Sequence, residues 1–281
     1  MGTLSYTGAA SGAPWDGVSP LYGVMSQGGV NNGGTVYQLT PGNNGFTYTV
    51  LYNFCSQQNC ADGNNPTGVV LDGAGHLYGN AVFGGISNAQ IPTGAGVVFE
   101  LSQSKGSWTE TVLHSFCSAA RCADGIFPTA SLAQDATGNL IGITESGGSP
   151  RKNALGGVLF KLTPNGAQSQ ETVLYNFCQL KDCKDGSYPF GTPLLDETGN
   201  VFGTTEEGGG NDIDRSPSGG GIAYELTGST LRILHRFCSQ PACSDGEGPS
   251  VGLSRDGSGH VLGTTDIGGA FGEGVIYELR P

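Results

Sequence analysis

Apolar and polar residues alternate along this chain in short runs. "GHLYGNAV", "GVVFEL" and "TETVLHSF" follow one another, with Gly, Pro, Asn or Asp at the breaks. Period-two alternation over four to eight residues, closed by turn formers, marks half-buried strands. Within one stretch it predicts four strands, Gly68–Leu71, His76–Val82, Gly96–Leu101 and Thr109–Phe116. The same order then returns. "FCSQQNCADG", "FCSAARCADG", "FCQLKDCKDG" and "FCSQPACSDG" place their first cysteines 62, 61 and 60 residues apart, so the chain is an array of units. A β-helix would need much shorter rungs, and separate sandwiches would need more residues per unit.

A fifth unit stands at the N-terminus, where "PLYGVMSQGG" and "GGTVYQL" carry the strand pattern without a cysteine pair. Leu21 follows Asp16 by only five positions, against fifteen or more for the counterparts elsewhere, so the innermost strand reads as shortened or missing. The chain ends after "GVIYELRP", a third strand with no fourth. "TLSYTG" at Thr3–Gly8 resembles the fourth-strand pattern "TVLYNF". The expected fold is therefore all-β: a five-bladed β-propeller of four-stranded antiparallel blades, with the N-terminal strand closing the last blade. Residues 1–281 then form one domain, with units at about 9–54, 55–116, 117–177, 178–237 and 238–281 plus 1–8.

The ordered combination "GGVLFKLTPNG…ETVLYNF…DG…GNVFGTTEEGG" resembles the GloVer tandem repeat of bacterial extracellular and surface-anchored proteins. The resemblance covers nearly the whole chain and implies location and architecture more than chemistry. The Cys-x4-Cys insert is an elaboration of that pattern, and the first unit departs from it most.

Composition narrows the partners. Fifty glycines and only 13% charged residues suit many strands joined by tight turns. A formal charge of −12, with 12 Lys and Arg forming no stripe, argues against nucleic acid and anionic lipid. No apolar run reaches membrane-spanning length, and "MGTLSYTG" lacks the basic start and apolar middle of a leader. All eight cysteines fall into four local pairs: Cys55 with Cys60, Cys117 with Cys122, Cys178 with Cys183, and Cys238 with Cys243. That arithmetic points to disulfides and an extracellular or cell-surface setting; zinc would need four ligands together, and no histidine stands beside the pairs. No metal or other cofactor is expected: calcium is the one ion the repeated Asp residues would suit, and no dense Asp-x-Asp-x-Asp loop is present.

Candidate chemistry lies where the units differ. After the "GTT"-type triplet the five units carry Ser26, Val82, Glu145, Glu206 and Asp266. Carboxylates in three successive units suit glycoside hydrolysis, in which one protonates the leaving oxygen and another activates water or attacks the sugar. The alternative for these acids is a set of solvated turns in an acidic protein. Glu207, Glu247 and Arg215, the last in "NDIDRSPS", add polar groups that do not repeat. Phe127 and Tyr188 supply flat rings near the same loops. Trp15 and Asp16, in "APWDG", are expected where the first unit has lost its disulfide loop. Two readings of this monomer stay open: a hydrolase of polysaccharides acting through Glu145, Glu206 and Asp266, or a non-catalytic, multivalent carbohydrate-binding or adhesion module.

Overall fold

The computed structural model describes residues 4–9, 13–148, 156–210 and 219–281. It is all-β, in five antiparallel sheets of three to four strands. The first sheet comprises β1 (Leu21–Met25), β2 (Thr35–Gly42) and β3 (Gly45–Asn53). The second comprises β4 (Asn64–Leu71), β5 (Leu77–Phe83), β6 (Val97–Ser104) and β7 (Ser107–Ser115). The third comprises β8 (Ala133–Gln134), β9 (Leu140–Thr144), β10 (Val158–Thr163) and β11 (Gln170–Asn176). The fourth comprises β12 (Ser187–Leu195), β13 (Val201–Glu207), β14 (Ile222–Thr227) and β15 (Thr230–Arg236), and the fifth β16 (Ser254–Arg255), β17 (Val261–Thr264) and β18 (Ile276–Leu279). Every sheet is a meander in which sequence neighbours pair. The four strands expected in the second unit all form, within a few residues of their expected ends.

The chain divides into two compact units, one of Met1–Ala119, Ile126–Leu140 and Leu162–Glu171, the other of Ala120–Gly125, Ile141–Lys161 and Thr172–Pro281. In the first, alternate residues of neighbouring sheets meet in a core of Val36, Phe54, Val69, Leu77, Phe99 and Leu101, with Tyr22, Leu51 and Trp108 packed against it. Phe54, which closes the first sheet's last strand, lies edge-on to Phe99 at 4.8 Å. In the second, Phe177 meets Tyr224 at 5.2 Å and Phe237 meets Tyr277 at 4.9 Å. Each such ring removes enough apolar surface from water to contribute about 1.5–3 kcal/mol. The ring of the third strand lies over a glycine of the second: a Cβ on Gly23 would sit 2.6 Å from Tyr37 Oη.

The N-terminal segment does not take the expected place. Ser5 exchanges both backbone hydrogen bonds with Tyr22 at 2.8 Å, an isolated bridge that lays Leu4–Tyr6 along the free edge of β1, where other sheets have their inner strand. The reason is in the side chains. Every fourth strand leads into a buried phenylalanine, Phe54, Phe116, Phe177 or Phe237, whereas "TLSYTG" has none. Leu4 instead does what Leu253 does before β16: each puts a methyl group 2.9 Å from where a Cβ would stand on the second-strand glycine, Gly23 or Gly263. The first sheet thus has three strands and an innermost one reduced to the single Ser5–Tyr22 bridge, as its short spacing predicts, and the fifth sheet has three strands with β18 at its edge.

Two carboxylate devices hold the turns. Asp62, wholly buried, accepts from the Ser56 and Gln57 amides (2.8 and 3.2 Å) and from Tyr52 Oη (2.9 Å). Asp185 does the same with Gln179, Leu180 and Tyr175, and Asp245 with Ser239 and Gln240. At the first-to-second strand turns, Asp72, Asp135, Asp196 and Asp256 each accept two amides, such as Ala74 and His76 at 2.9 and 2.8 Å.

The cysteines pair within their own loops, as their spacing predicts. Cys55 is bonded to Cys60, Cys178 to Cys183 and Cys238 to Cys243. Cys117 and Cys122 are likewise in disulfide form, and no free thiol remains. In each loop the carbonyl of the second cysteine, Cys60, Cys122, Cys183 or Cys243, accepts the amide of the glycine that follows the loop's Asp, at 2.8–3.0 Å. The disulfide and the Asp-Gly turn thereby close one rigid element. A fully oxidised set of this kind belongs to oxidising compartments. Among the described residues, no helix is long and apolar enough to cross a membrane.

Candidate functional site

In the third, fourth and fifth units, one threonine shapes the turn that presents each acid. Thr205 Oγ1 donates to the Glu207 carbonyl at 2.8 Å and accepts from the Ile222 amide at 3.2 Å. Thr144 bridges Ser146 and Val158 in the same way (2.9 and 3.3 Å), and Thr265 bridges Ile267 and Val275 (2.9 and 3.0 Å). The next residue, Glu145, Glu206 or Asp266, is left at the rim, the first half-buried and the other two exposed. The first two units have Met25 and Ala81 in place of the threonine, and Ser26 and Val82 in place of the acid. The hydroxyl bridge and the carboxylate therefore occur together.

The second compact unit brings three of the expected acids and one ring close together. Burial raises the pKa of Glu145, and the Glu206 carboxylate raises it further. Tyr188 is raised by burial and then by Glu207, Glu145 and Glu206, so its phenol lies in the field of all three. Asp266 is tied to the next loop through its backbone, its amide donating to the Gly248 carbonyl at 3.1 Å. Glu247 pairs antiparallel with Ile267. Its carboxylate lies within 4.8 Å of the Cys238 and Cys243 sulfurs, but those are joined to each other, and the group is not a metal centre.

In the other compact unit, Phe127 stands edge-on to Phe83 at 5.7 Å. Trp15 and Asp16 are not at this end of their sheet. With Leu4–Tyr6 as the inner strand, "APWDG" belongs to the loop leading into β1, the counterpart of "DGSGH" before β17. Trp15 accordingly packs on Phe46, in the β2–β3 hairpin, at 6.0 Å and donates from Nε1 to the Ser19 carbonyl at 2.9 Å. Asp16 accepts from the Val18 and Ser19 amides at 2.9 and 2.7 Å, which makes it a turn former and not the counterpart of Asp62. The misplacement follows directly from the register error at the N-terminus. Arg215 lies outside the described residues.

One shared feature was invisible to pattern reading. The residue before the proline of each "DG-x-x-P" stretch has a left-handed backbone: Asn65, Phe127, Tyr188 and Gly248, with φ of 64°, 60°, 53° and 63°. Its amide donates to a carbonyl of the preceding repeat, Gly33, Ala95, Gly156 or Gly220, at 2.8–3.2 Å. Only the glycine, and the asparagine beside it, hinted at this conformation in the sequence.

No curated protein matches the chain. Among solved structures, a luciferin-regenerating enzyme superposes with a TM-score of 0.51 at 13% identity, over 96% of this chain and 75% of that one. A gluconolactonase from Xanthomonas campestris gives 0.45 at 14% identity, over 100% and 86%. A Trypanosoma rangeli sialidase gives 0.47 at 12%, over 99% and 46%. At such identities the likeness concerns the fold alone. In sequence, the model of the Gloeobacter/Verrucomicrobia repeat matches residues 9–277, and the chain belongs to that family.

Proposed function

We propose that this protein is a secreted, monomeric glycoside hydrolase of polysaccharides, its five sheets forming the blades of one closed propeller domain, with Glu145, Glu206 and Asp266 at the reacting centre. The observation that carries this reading is the unequal pair Glu145 and Glu206. Burial and the neighbouring Glu206 carboxylate raise the pKa of Glu145, whereas Glu206 itself is exposed to water. Two carboxyl groups whose surroundings differ in this way divide into acid and base. In this scheme Glu145 protonates the glycosidic oxygen as the bond from the anomeric carbon breaks. Glu206 takes the proton of the attacking water or itself bonds to that carbon, and Asp266 supports the developing positive charge. The pairing of Thr144, Thr205 and Thr265 with one rim acid each supports deliberate placement by the turn, since unconstrained surface acids need no such bridge.

The test is release of reducing ends from a panel of xylan, β-glucan, mannan and arabinan. Wild-type release that drops by at least 100-fold in Glu145→Gln and Glu206→Gln, and less steeply in Asp266→Asn, supports the chemistry. Binding without product on every polymer would favour the carbohydrate-binding reading, for which the repetition of the ring-bearing position in successive units speaks.

A further inference from the structure

We infer that Phe127 and Tyr188 are ligand-stacking platforms, kept at a backbone position where a side chain is a local burden. The four equivalent residues Asn65, Phe127, Tyr188 and Gly248 share the left-handed conformation, and each precedes a proline, which further restricts its backbone. Glycine adopts that conformation freely and asparagine readily; phenylalanine and tyrosine do so at a cost. Two of four units therefore carry a large ring where the fold accepts glycine. Bulky residues held in such a conformation point to use of the side chain.

The direction of the side chain at this position is also fixed. A Cβ added to Gly248 would have Glu206 Cγ, at 4.0 Å, as its nearest neighbour and otherwise open space. Phe127 reaches Phe83, at the end of the preceding unit's second strand. Tyr188 lies in the field of Glu207 and Glu206 of its own unit as well as of Glu145, the rim acid of the unit before it. In two units, then, the vector from this backbone position points at the preceding unit's rim turn and not into the core. Phe127 and Tyr188 are both only half-buried. A ring so placed offers one face to a ligand lying against the rim, and Gly248 leaves that space vacant beside Glu206.

The ligand class follows from the surface. A flat ring beside carboxylates, in a chain of net charge −12, suits the apolar C–H face of an uncharged pyranose and disfavours uronic or sulfated polymers. This substrate class rests on the hydrolase reading; the platform role does not.

The experiment pairs stability with retention. Phe127→Gly, Tyr188→Gly and Tyr188→Phe are melted and then run in native gels containing xylan, β-glucan or mannan. If the rings serve a ligand, the glycine variants keep or raise Tm by roughly 2 °C, lose retention by tenfold or more on the polymer that retards the wild type, and Tyr188→Phe keeps it. A fall in Tm in both glycine variants would assign the rings to packing and overturn the inference, as would unchanged retention or a wild type that no polymer retards. The two proposals fail separately. Retention lost in Tyr188→Gly without any hydrolysis by the wild type removes the chemistry and leaves the platform; hydrolysis with an unchanged KM in Tyr188→Gly does the reverse.

Discussion

Asp62 and Glu110 are carboxylates in the same compact unit, and their surroundings treat them oppositely. Asp62 is met by two amides and two hydroxyls, so its charge is satisfied although the side chain is buried. Replacing it with Ala strips those donors and should cost about 3 kcal/mol, from the usual 1–3 kcal/mol per buried group left unsatisfied. Opening the neighbouring disulfide by changing Cys55 and Cys60 together to Ser should cost about 2 kcal/mol, because the loop it closes is short. Urea unfolding of both variants checks that order. Glu110, on β7, has one oxygen buried without a partner, and burial, with Asp62 nearby, pushes its pKa up to about 8. The folded value exceeds the unfolded one, so the native state holds a proton that the unfolded chain releases between about pH 4.5 and 8. Stability contributed by this group is therefore lost as pH rises through that window. Glu110→Gln should flatten the decline in Tm between pH 5 and pH 8.5; an equal decline in variant and wild type would show that the carboxyl finds water. Residue roles of the Asp-Gly kind were legible in the sequence because each is repeated four times. Glu110 was not, since nothing in "TETVL" distinguishes an outward Glu from a buried one.

At the scale of strands, the pattern of alternation located nearly every element, and the errors came from deciding which strand was which. "TLSYTG" reads equally as a first or a fourth strand if only its apolar spacing is counted. The absence of a closing phenylalanine, and the match of Leu4-Ser5 to Leu253-Ser254, settle it. Ser5→Pro removes the amide that bonds Tyr22. It should lower stability by about 1–3 kcal/mol, with faster hydrogen exchange at the Tyr22 amide. The other end of the array makes the complementary point. Val36, Val98, Leu159 and Ala223 on the third strands are fully buried, whereas Ile276, their counterpart on β18, is 82% exposed. Ile276→Asn should leave the unfolding midpoint within the range of ordinary surface changes, about 0.5 kcal/mol. Val98→Asn should cost several times more, since it buries an unpaired amide.

For the molecule as a whole, the repeat period and the all-β class could be read from the spacing of the cysteines and the turn residues. The site could be read only in part. Units that differ at one position single out Glu145, Glu206 and Asp266 as the candidate acids, but the left-handed backbone at Phe127 and Tyr188 goes with hydrogen bonds from one repeat to the one before, which no local pattern encodes. Net charge makes a prediction at this scale too. Retention by an uncharged polysaccharide should change little between 20 and 500 mM salt, since the proposed stacking is not charge-driven, and polygalacturonate should fail to retard the protein at low salt, where repulsion is least screened.

The pairing of Ser5 with Tyr22 has a bearing on how the chain is made. With the N-terminal strand lying beside β1, all five sheets are contiguous stretches of sequence, and none has to wait for the last residues to arrive. A chain emerging residue by residue from a ribosome or an export channel can complete each meander before the next is born, with short loop closures and few unpaired edges at any moment. Topology of this kind turns the order of synthesis into the order in which the sheets form.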